Sequence, residues 1–340
     1  MPAEWEPHEG VWVSWPHKAE SWPGRFEPVP EAFARMVAML ATAEPVHINI
    51  GAGEVGECLR TEAQGLLDGL AVPRERIRFH PIPTDDAWCR DHGPMWVLDA
   101  EGRRVLLDWG FNAWGGKYEP FDDDDAVPSR IALELSVEAI RPGMVLEGGS
   151  IDVNGRGTLL TTESCLLNPN RNPGMRRAEV EAMLALWLGA TKTIWLERGI
   201  EGDDTDGHID DLARFVDPNT VVAALPDDPE DPDYPVLKDN LDRLRAATDQ
   251  DGRPLTVASL PTPGNVTVDG ERVPASYANF VMANGLVLVP TYNVANDARA
   301  LETLARCFPD RAVRGLDATD LIWGLGAFHC LTQQMPLPGG

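Results

Sequence analysis

Apolar residues recur at helical spacing in several parts of the chain, and short apolar runs follow these segments. In residues 31–44 the apolar positions 33, 36, 37 and 40 lie on one helix face, and residues 46–50 then form a run typical of a strand. The predicted helix and strand pairs are 31–44 with 46–50, 177–188 with 191–196 and 237–247 with 255–260, and a further helix is predicted at 298–307. This alternation predicts an α/β protein.

A hairpin signal interrupts the alternation. Asn284 and Gly285 separate the strand-like segments 277–283 and 286–290, and Asn-Gly is the strongest short signal for a two-residue hairpin turn. A purely parallel sheet has no need of hairpins, because its strands are joined by crossover connections. The sequence therefore predicts hairpins placed among the helices rather than a simple doubly wound sheet.

The length of 340 residues allows two domains or one large closed architecture. The acidic segments 122–125 and 226–233 are predicted to be surface loops. Each of them is too short to separate two domains. We therefore expect residues 1–340 to form a single catalytic domain.

The charge of the chain limits its partners. The sequence has 54 acidic residues against 29 Lys and Arg, which gives a net charge of −25. Nucleic-acid binding needs a basic surface, so neither nucleic acid nor an anionic membrane is an expected partner. A strongly negative field raises the local concentration of small cations and speeds their capture. The charge agrees with a cationic substrate, and acidity for solubility alone explains it equally well.

The cysteines and the absence of targeting signals favour the cytoplasm. The sequence has no run of about 18 apolar residues, which a membrane span would need. Residues 1–7 have no basic and apolar parts of a signal peptide. The five cysteines are odd in number and widely scattered, which argues against a disulfide framework and for a reducing compartment.

A glycine-rich segment at residues 51–56 matches Gly-x-Gly-x-x-Gly and follows a predicted strand, which by itself suggests dinucleotide binding. Glu54 would place a negative charge near a pyrophosphate. The next predicted strand, 77–80, ends in no acidic residue that could bind a ribose. We therefore interpret the segment as a glycine-rich turn and expect no cofactor.

The candidate chemistry lies in three distant segments, 88–91, 206–210 and 329–334. Together they supply a thiol, an imidazole and two carboxylates. Such a set can hold a cation with the carboxylates, attack it with the thiol and move protons with the imidazole. Cys330 stands out because glycines precede it and Gln333 and Gln334 follow it, and two glutamines are costly to bury without partners.

His208 and Asp210 are expected to face one cavity, because alternate side chains of an extended segment point to the same side. An Asp- and Gly-rich surface loop is the alternative. Metal binding by His-x-Asp is open as well, but no further ligand stands at a recognisable spacing. We expect no metal.

Two further segments could complete such a site. Trp88 could stack on a planar cation held by Asp91, and the alternative is a turn with a core tryptophan and an ion pair of Arg90. Glu147 follows an apolar run and precedes two glycines, so its carboxylate could approach a histidine and fix its orientation.

Taken together, these motifs resemble the agmatine deiminase family, close relatives of the bacterial peptidyl-arginine deiminases, and the resemblance covers nearly the whole chain. The matching segments are 4–9, 12–16, 88–94, 146–150, 157–163, 168–173, 203–210, 275–280 and 329–334. The resemblance implies five αβ modules around a pseudo-fivefold axis, an α/β propeller of the pentein type with the site at its centre. It also implies a homodimer or homotetramer.

The same resemblance implies roles for individual residues. Cys330 matches the nucleophile, His208 the general acid and base, and Glu147 the carboxylate that orients this histidine. Asp91 and Asp210 match the pair that binds the guanidinium nitrogens, and Trp88 falls at the stacking position. Asp204 is our candidate for the distal ammonium of agmatine, because it lies in an acidic loop.

The implied reaction converts agmatine and water to N-carbamoylputrescine and ammonia through an amidino adduct on Cys330. One segment departs from the family: before the nucleophile it usually has a run of glycines, whereas this chain has Leu325, Ala327 and Phe328 in residues 324–328. We expect these residues to reshape the pocket over the reacting end of the substrate. Open alternatives are a deiminase of peptidyl-arginine or another guanidino compound, an amidinotransferase, a zinc aminohydrolase and a non-catalytic propeller that binds polyamines.

Overall fold

The computed structural model describes residues 1–339, in which strands and helices alternate. The strands are β1 His8–Ser14, β2 Val46–Asn49, β3 Ile77–His80, β4 Met95–Leu98, β5 Arg104–Leu107, β6 Ala139–Ile140, β7 Asp152–Val153, β8 Thr158–Thr162, β9 Lys192–Leu196, β10 Ala213–Phe215, β11 Thr220–Ala224, β12 Thr256–Leu260, β13 Thr267–Val268, β14 Glu271–Arg272, β15 Val281–Ala283, β16 Leu286–Thr291, β17 Ala312–Asp317 and β18 Thr332–Pro336.

The helices connect these strands. They are α1 Val29–Ala41, α2 Gly53–Gly69, α3 Cys89–His92, α4 Ala113–Gly116, α5 Asp122–Asp125, α6 Val127–Leu135, α7 Glu163–Leu166, α8 Arg177–Leu188, α9 Tyr234–Ala246, α10 Asp297–Cys307 and α11 Thr319–Ile322. Short 3-10 helices lie at Ala19–Ser21, Arg74–Arg76, Gly148–Ser150 and Ile209–Asp211.

Four sheets repeat one pattern. In each, two antiparallel strands form a hairpin, a helix follows, and the next strand runs parallel to the second strand of the hairpin. The strand orders are β4-β5-β6, β7-β8-β9, β10-β11-β12 and β15-β16-β17. A fifth, four-stranded sheet has the order β18-β1-β2-β3. The five-module α/β propeller expected from the resemblance is confirmed, and so are the hairpins among the helices.

The four-stranded sheet joins both ends of the described chain. Strand β1 pairs antiparallel with β18, with His8 opposite Pro336 and Val13 opposite Thr332, and β2 lies parallel on its other side. Cys330 lies two positions before β18. Both ends of the described chain therefore contribute to one module, beside the candidate nucleophile.

The predicted helices and strands are confirmed with small shifts at their ends. Helices α1 and α9 each begin earlier than predicted, because Pro30 and Pro235 occupy the first turn, where a missing N–H costs nothing. The apolar face of α1 buries Phe33, Met36 and Leu40. Strand β15 begins only at Val281, so residues 277–280 are not part of the predicted hairpin strand.

The acidic segments are more than surface loops, so that prediction was wrong in part. Residues 122–125 form α5, and buried Asp124 accepts hydrogen bonds from the backbone N–H groups of Asp85 at 2.8 Å and Asp86 at 3.2 Å. In the second segment, buried Asp233 accepts the backbone N–H of Glu201 at 2.8 Å. Acidic side chains here hold neighbouring loops in place.

The glycine-rich segment 51–56 forms the entry into α2. Gly51 has a φ of +82°, and a Cβ on Gly56 would lie 2.5 Å from the carbonyl oxygen of Gly51. The glycines therefore permit a tight turn, in line with our interpretation. Across residues 1–339, no helix combines the length and apolar character that crossing a bilayer requires.

Candidate active site

A cavity of about 250 Å³ lies where the distant segments meet. Its lining includes Trp88, Asp91, Trp114, Asp204, Leu325 and Cys330. The backbone itself brings two of these segments together, because the N–H of Arg90 donates a hydrogen bond of 3.0 Å to the carbonyl oxygen of Cys330. This hydrogen bond holds the segments of Asp91 and Cys330 next to each other, although the two residues are 239 positions apart in sequence.

Cys330 is almost fully buried at the floor of this cavity. Its Sγ accepts a hydrogen bond from the side-chain amide of Asn279 at 3.0 Å and lies 3.7 Å from Oδ2 of Asp210. Burial, together with the carboxylates of Asp210, Asp211 and Asp91, raises the pKa of the thiol well above its ordinary value. In the free protein Cys330 is therefore a thiol rather than a thiolate.

Asp91 lies in the short helix α3, and both of its carboxylate oxygens are engaged. Oδ1 accepts the backbone N–H of Gly149 at 2.9 Å, and Oδ2 accepts the indole N–H of Trp114 at 2.9 Å. Burial raises the pKa of Asp91 to about 6, and His208 opposes this rise. Asp91 is thus ionised at neutral pH but close enough to its pKa to respond to mild acid.

His208 lies beside Asp91, with 3.6 Å between Nδ1 and Oδ1. Burial alone would lower the pKa of His208, but the nearby Asp91, Cys165 and Glu147 outweigh it and hold the pKa well above the ordinary value. The ring nitrogens have no hydrogen-bond partner among residues 1–339. The imidazole is therefore positively charged near neutral pH and has protons to give.

Gly149 marks the point around which the polar groups converge. A Cβ at this position would lie 2.5 Å from Nδ1 of His208, 2.8 Å from Oδ1 of Asp91 and 3.1 Å from Oδ2 of Asp210. Any side chain here would displace the imidazole or a carboxylate, so the position requires glycine. The measurement also shows that the sequence-predicted His208, Asp91 and Asp210 lie together.

The prediction of an extended segment from His208 to Asp210 was wrong, because Ile209–Asp211 forms a 3-10 helix. The two side chains converge nevertheless, since the tight turn brings Asp210 back toward Gly149. Oδ2 of Asp210 is 2.6 Å from Nδ1 of His329. Oδ1 has no hydrogen-bond partner within the described residues and is the free acceptor of the group.

Glu147 is buried near His208, but the structure gives it another partner than the one we expected. Nε of Arg171 donates a hydrogen bond of 2.6 Å to its Oε1. No hydrogen bond joins Glu147 to His208 in the part of the chain that is described, and Asp91 is the carboxylate for which a 3.6 Å approach to the imidazole is recorded. Glu147 acts on His208 through its charge, by raising the pKa of the imidazole.

Glu147, Cys165 and His208 could in principle bind a metal ion, because their ligand atoms lie within 4.8 Å of one another and all three are buried. The guanidinium of Arg171, however, already places a positive charge on Glu147. A second cation would be repelled there. The cluster is better suited to keeping the proton on His208.

Trp88 lines the cavity and packs on Trp22, with ring centroids 5.3 Å apart and nearly parallel planes. The adjoining glycines leave room for these rings: a Cβ on Gly326 would lie 2.5 Å from Trp88, and one on Gly324 would lie 2.7 Å from Trp22. The backbone of Gly324 and Gly326 therefore packs directly on the indoles of Trp22 and Trp88 and forms one wall of the site.

Only one of the three bulky residues in segment 324–328 lines the cavity, so our expectation for the other two was wrong. Leu325 borders the cavity. Its φ is +70°, a backbone conformation that residues other than glycine rarely adopt. Ala327 and Phe328 belong to the hydrophobic core.

The mouth of the cavity is acidic. Asp204 lines it together with Asp86 and Glu20. The carboxylate of Asp204 accepts a hydrogen bond from the hydroxyl of Tyr118, and its backbone carbonyl accepts one from Lys117. Asp204 thus lies where the far end of an elongated ligand would leave the cavity, but it already has a partner.

Sequence reasoning missed Trp114 and Asn279, and it misplaced Gln333 and Gln334. The two glutamines accept hydrogen bonds from Nη1 of Arg90 at 2.6 and 2.7 Å, so they anchor Arg90 rather than line the main cavity. Asn279 belongs to the matching segment 275–280, which is the one signal that could have pointed to it. Trp114 lies outside every matching segment.

Comparison with known proteins agrees with this geometry. Residues 1–336 match the family of Porphyromonas-type peptidyl-arginine deiminases. The chain is 39% identical over 361 residues to the agmatine deiminase of Pseudomonas aeruginosa (strain LESB58), which covers 99% of this chain and 95% of that relative. It is 37% identical over 366 residues to the agmatine deiminase of Ectopseudomonas mendocina (strain ymp), with 100% and 96% covered. The solved structure of the Enterococcus faecalis agmatine deiminase superposes with a TM-score of 0.91 at 36% identity, covering 99% of this chain and 95% of that one.

Proposed function

The chain belongs to the agmatine deiminase family, within the Porphyromonas-type peptidyl-arginine deiminases, and we propose that it hydrolyses agmatine to N-carbamoylputrescine and ammonia. It is an enzyme, a hydrolase of C–N bonds in linear amidines. We also propose that residues 1–340 act as one catalytic unit, because the site draws residues from several modules. The observation that carries the proposal is the convergence of three groups: Asp91 and Cys330 line one cavity, and Asp210 lies 3.7 Å behind the sulfur and beside Asp91 at Gly149.

The two carboxylates can bind a guanidinium group in a fixed plane. Oδ1 of Asp210 is a free acceptor, and Asp91 is held in place by Gly149 and Trp114. Charge-assisted hydrogen bonds of this kind are short and directional. A guanidinium held between them presents its central carbon to Sγ of Cys330, while Trp88 provides an apolar wall.

Substrate binding also activates the nucleophile. Asp210, Asp211 and Asp91 oppose ionisation of Cys330 in the free protein. A bound guanidinium neutralises part of this negative field and so favours the thiolate. Two positive charges could stabilise the thiolate, the bound guanidinium and the protonated His208. We assign the larger effect to the bound guanidinium, because it neutralises the carboxylates that surround the sulfur.

The reaction then proceeds in two halves. As the substrate binds, the thiol proton of Cys330 passes to solvent; the thiolate Sγ then attacks the guanidinium carbon, His208 donates a proton to one terminal nitrogen, and ammonia leaves as the carbon–nitrogen bond breaks. The product of this half is a cationic amidino-thioether on Cys330. His208, now neutral, takes a proton from water; the resulting hydroxide adds to the same carbon, and the carbon–sulfur bond breaks to release the ureido product. The raised pKa of His208 suits its first role as an acid.

The acidic mouth supports a substrate with a cationic tail. Asp204 and the exposed Glu20 would attract the distal ammonium of agmatine and repel the carboxylate that free arginine carries near its own ammonium, whereas Asp86 is buried and pairs with Lys18 at 3.7 Å. The same charges leave an arginyl peptide, which has a neutral backbone at this point, without a partner. Agmatine is therefore the substrate that both ends of the cavity favour.

A substrate panel tests the proposal. Ammonia and ureido product are measured for agmatine, free arginine and an arginyl peptide, with Cys330→Ser as the control. We expect turnover of agmatine at least about 100-fold above the other two in kcat/KM, which corresponds to roughly 2.7 kcal/mol, and none with the variant. Preference for the peptide, or transfer of the amidino group to an added amine, would replace the proposal by one of the rival activities. A mass increase on Cys330 in quenched wild-type enzyme would report the adduct.

A further inference from the structure

A second histidine, His329, lies directly beside the nucleophile and bridges two carboxylates. Its Nδ1 is 2.6 Å from Oδ2 of Asp210, and its Nε2 is 3.0 Å from Oε2 of Glu4. All three side chains are buried. The contact with Glu4 spans 325 positions of the chain, so the N-terminal segment reaches the centre of the site through this imidazole.

The two contacts fix the charge of the ring. An ionised carboxylate accepts hydrogen bonds and cannot donate them, so a ring nitrogen that faces one must carry a proton. Glu4 also accepts the backbone N–H of Met282 at 2.7 Å and a hydrogen bond from Arg214. Burial alone would raise the pKa of Glu4, but Arg214 and His329 outweigh it and hold the pKa well below the ordinary value. Both nitrogens of His329 therefore act as donors.

We infer that His329 is a positioning residue: as an imidazolium fixed between Glu4 and Asp210, it holds Oδ2 of Asp210 and leaves Oδ1 as the acceptor for the guanidinium. This inference rests on the proposed function and deepens it. The ring reaches the substrate only through Asp210. Its main-chain N–H is held separately by Oδ1 of Asn279 at 2.9 Å, so the backbone and the ring of His329 are each fixed.

Several charged groups besides His329 act on Asp210. They are His208, Arg214, Asp211 and the thiol of Cys330. Burial alone would raise the pKa of Asp210, whereas the hydrogen bond and charge of His329, with smaller contributions from His208 and Arg214, hold it below the ordinary value. Burial and the neighbouring Asp211 raise the pKa of Asp210, and His329 makes the largest contribution that lowers it. Removal of His329 therefore raises the pKa of Asp210. The carboxylate of Asp210 then takes up a proton at higher pH.

Two substitutions separate the two contacts. In His329→Asn the amide reaches about as far as Nδ1 and can still donate to Asp210, whereas in His329→Gln it reaches toward Glu4 and leaves Asp210 without its donor. We expect kcat/KM for agmatine to fall about tenfold in His329→Asn and at least about 100-fold in His329→Gln, mainly through KM. In both variants the protonation of Asp210 adds to that of Asp91 and moves the acidic limb of the kcat/KM profile to higher pH, and further in His329→Gln. Equal losses with an unmoved acidic limb would overturn the inference.

A measurement on the wild-type protein covers the case in which the variants do not fold. In histidine-labelled protein at about pH 7, ¹⁵N NMR should show a proton on both ring nitrogens of His329, because each nitrogen faces a carboxylate oxygen. A neutral tautomer at about pH 7 would refute the positioning role. Failure of the proposed function looks different, because the wild-type enzyme would then release no ammonia from agmatine while the ring remained doubly protonated.

Discussion

The indole N–H of Trp114 donates a hydrogen bond of 2.9 Å to Oδ2 of Asp91, and this contact orients a carboxylate that no neighbouring residue in sequence could orient. Trp114 lies in α4, where Ala113, Trp114, Gly115 and Gly116 all have positive φ. Left-handed backbone at residues other than glycine is costly and persists only where the surroundings enforce it. The strained turn therefore places the indole over the cavity and against Asp91.

The pKa of Asp91 predicts the pH dependence of activity. Because burial raises this pKa to about 6, the carboxylate becomes neutral as the pH falls through that value and no longer binds a cation. We expect kcat/KM for agmatine to decline below about pH 6, while the rate at saturating substrate is less affected. Steady-state kinetics across the pH range measure both quantities. A limb near pH 4 would show that Asp91 is more solvated than the structure indicates.

Replacement of Trp114 by Phe keeps an aromatic ring but removes the donor to Asp91. The hydrogen bond from Trp114 lowers the pKa of Asp91, so its loss raises that pKa further above 6 and moves the acidic limb upward. At pH 7 we expect kcat/KM to fall at least about tenfold, because a single hydrogen bond to a charged group contributes about 1.5 kcal/mol or more. Trp109→Phe is the matched control, since Trp109 is also buried but its indole N–H has no partner in the described chain. An identical limb in both variants would contradict the assignment.

The two carboxylates proposed to bind the guanidinium should be sensitive to loss of charge. Asp91→Asn or Asp210→Asn is expected to lower kcat/KM at least about 100-fold, or roughly 2.7 kcal/mol. Asp211→Asn serves as the control, because Asp211 is also buried but accepts a hydrogen bond from the side-chain amide of Asn279 at 3.0 Å and does not line the cavity. It should lose less than about tenfold. A comparable loss at all three positions would point to general disruption of the site.

Leu325 offers a test of how the cavity selects its substrate. Its φ of +70° disfavours any residue with a Cβ, so Leu325→Gly should be more stable than Leu325→Ala by about 1 kcal/mol. Both variants remove the side chain that borders the cavity. We therefore expect both to gain activity on N-alkylated agmatines relative to agmatine itself. Denaturant unfolding measures the difference in stability, and substrate competition measures the activity on N-alkylated agmatines. A gain in that activity only in Leu325→Gly would show that relief of backbone strain, rather than added space, causes it.

Asp204 is expected to act on the tail of the substrate and not on its reacting end. Asp204→Asn should raise KM for agmatine about tenfold and leave that for a guanidine with a neutral tail nearly unchanged, because the lost interaction is with the ammonium. Tyr118→Phe removes the hydroxyl that donates to Asp204 and keeps the charge. It should therefore have the smaller effect on KM. The same change for charged and neutral tails would place the contact elsewhere.

Local signals in the sequence account for much of the fold. The helical spacing in α1, the Asn284-Gly285 turn and the apolar strand segments are each set by neighbouring residues, so they could be predicted. The acidic segment 122–125 could not, because the burial of Asp124 depends on backbone N–H groups of residues 85 and 86. The extended form expected from His208 through Asp210 holds only at His208, because residues 209–211 form a 3-10 turn in which Asp210 contacts His329 and Asp211 accepts from Asn279.

The site shows the same division. The thiol, the imidazole and the carboxylates stand in recognisable motifs, and the structure brings Cys330, His208, Asp91 and Asp210 together. No local sequence signal identifies the residues that orient these groups. Trp114 depends on a left-handed turn that Ala and Trp do not signal, and Glu4 reaches His329 only because folding joins the two ends of the described chain.

The pairing of β1 with β18 has a consequence for the newborn polypeptide. Strand β1 is synthesised long before β18 and stays unpaired on that side until β18 emerges, and Cys330 lies only two positions before β18. A chain still under synthesis consequently has its acidic residues but neither the sulfur nor the imidazole of His329 in place. Chemical competence arrives in one late step, when β18 has emerged and pairs with β1.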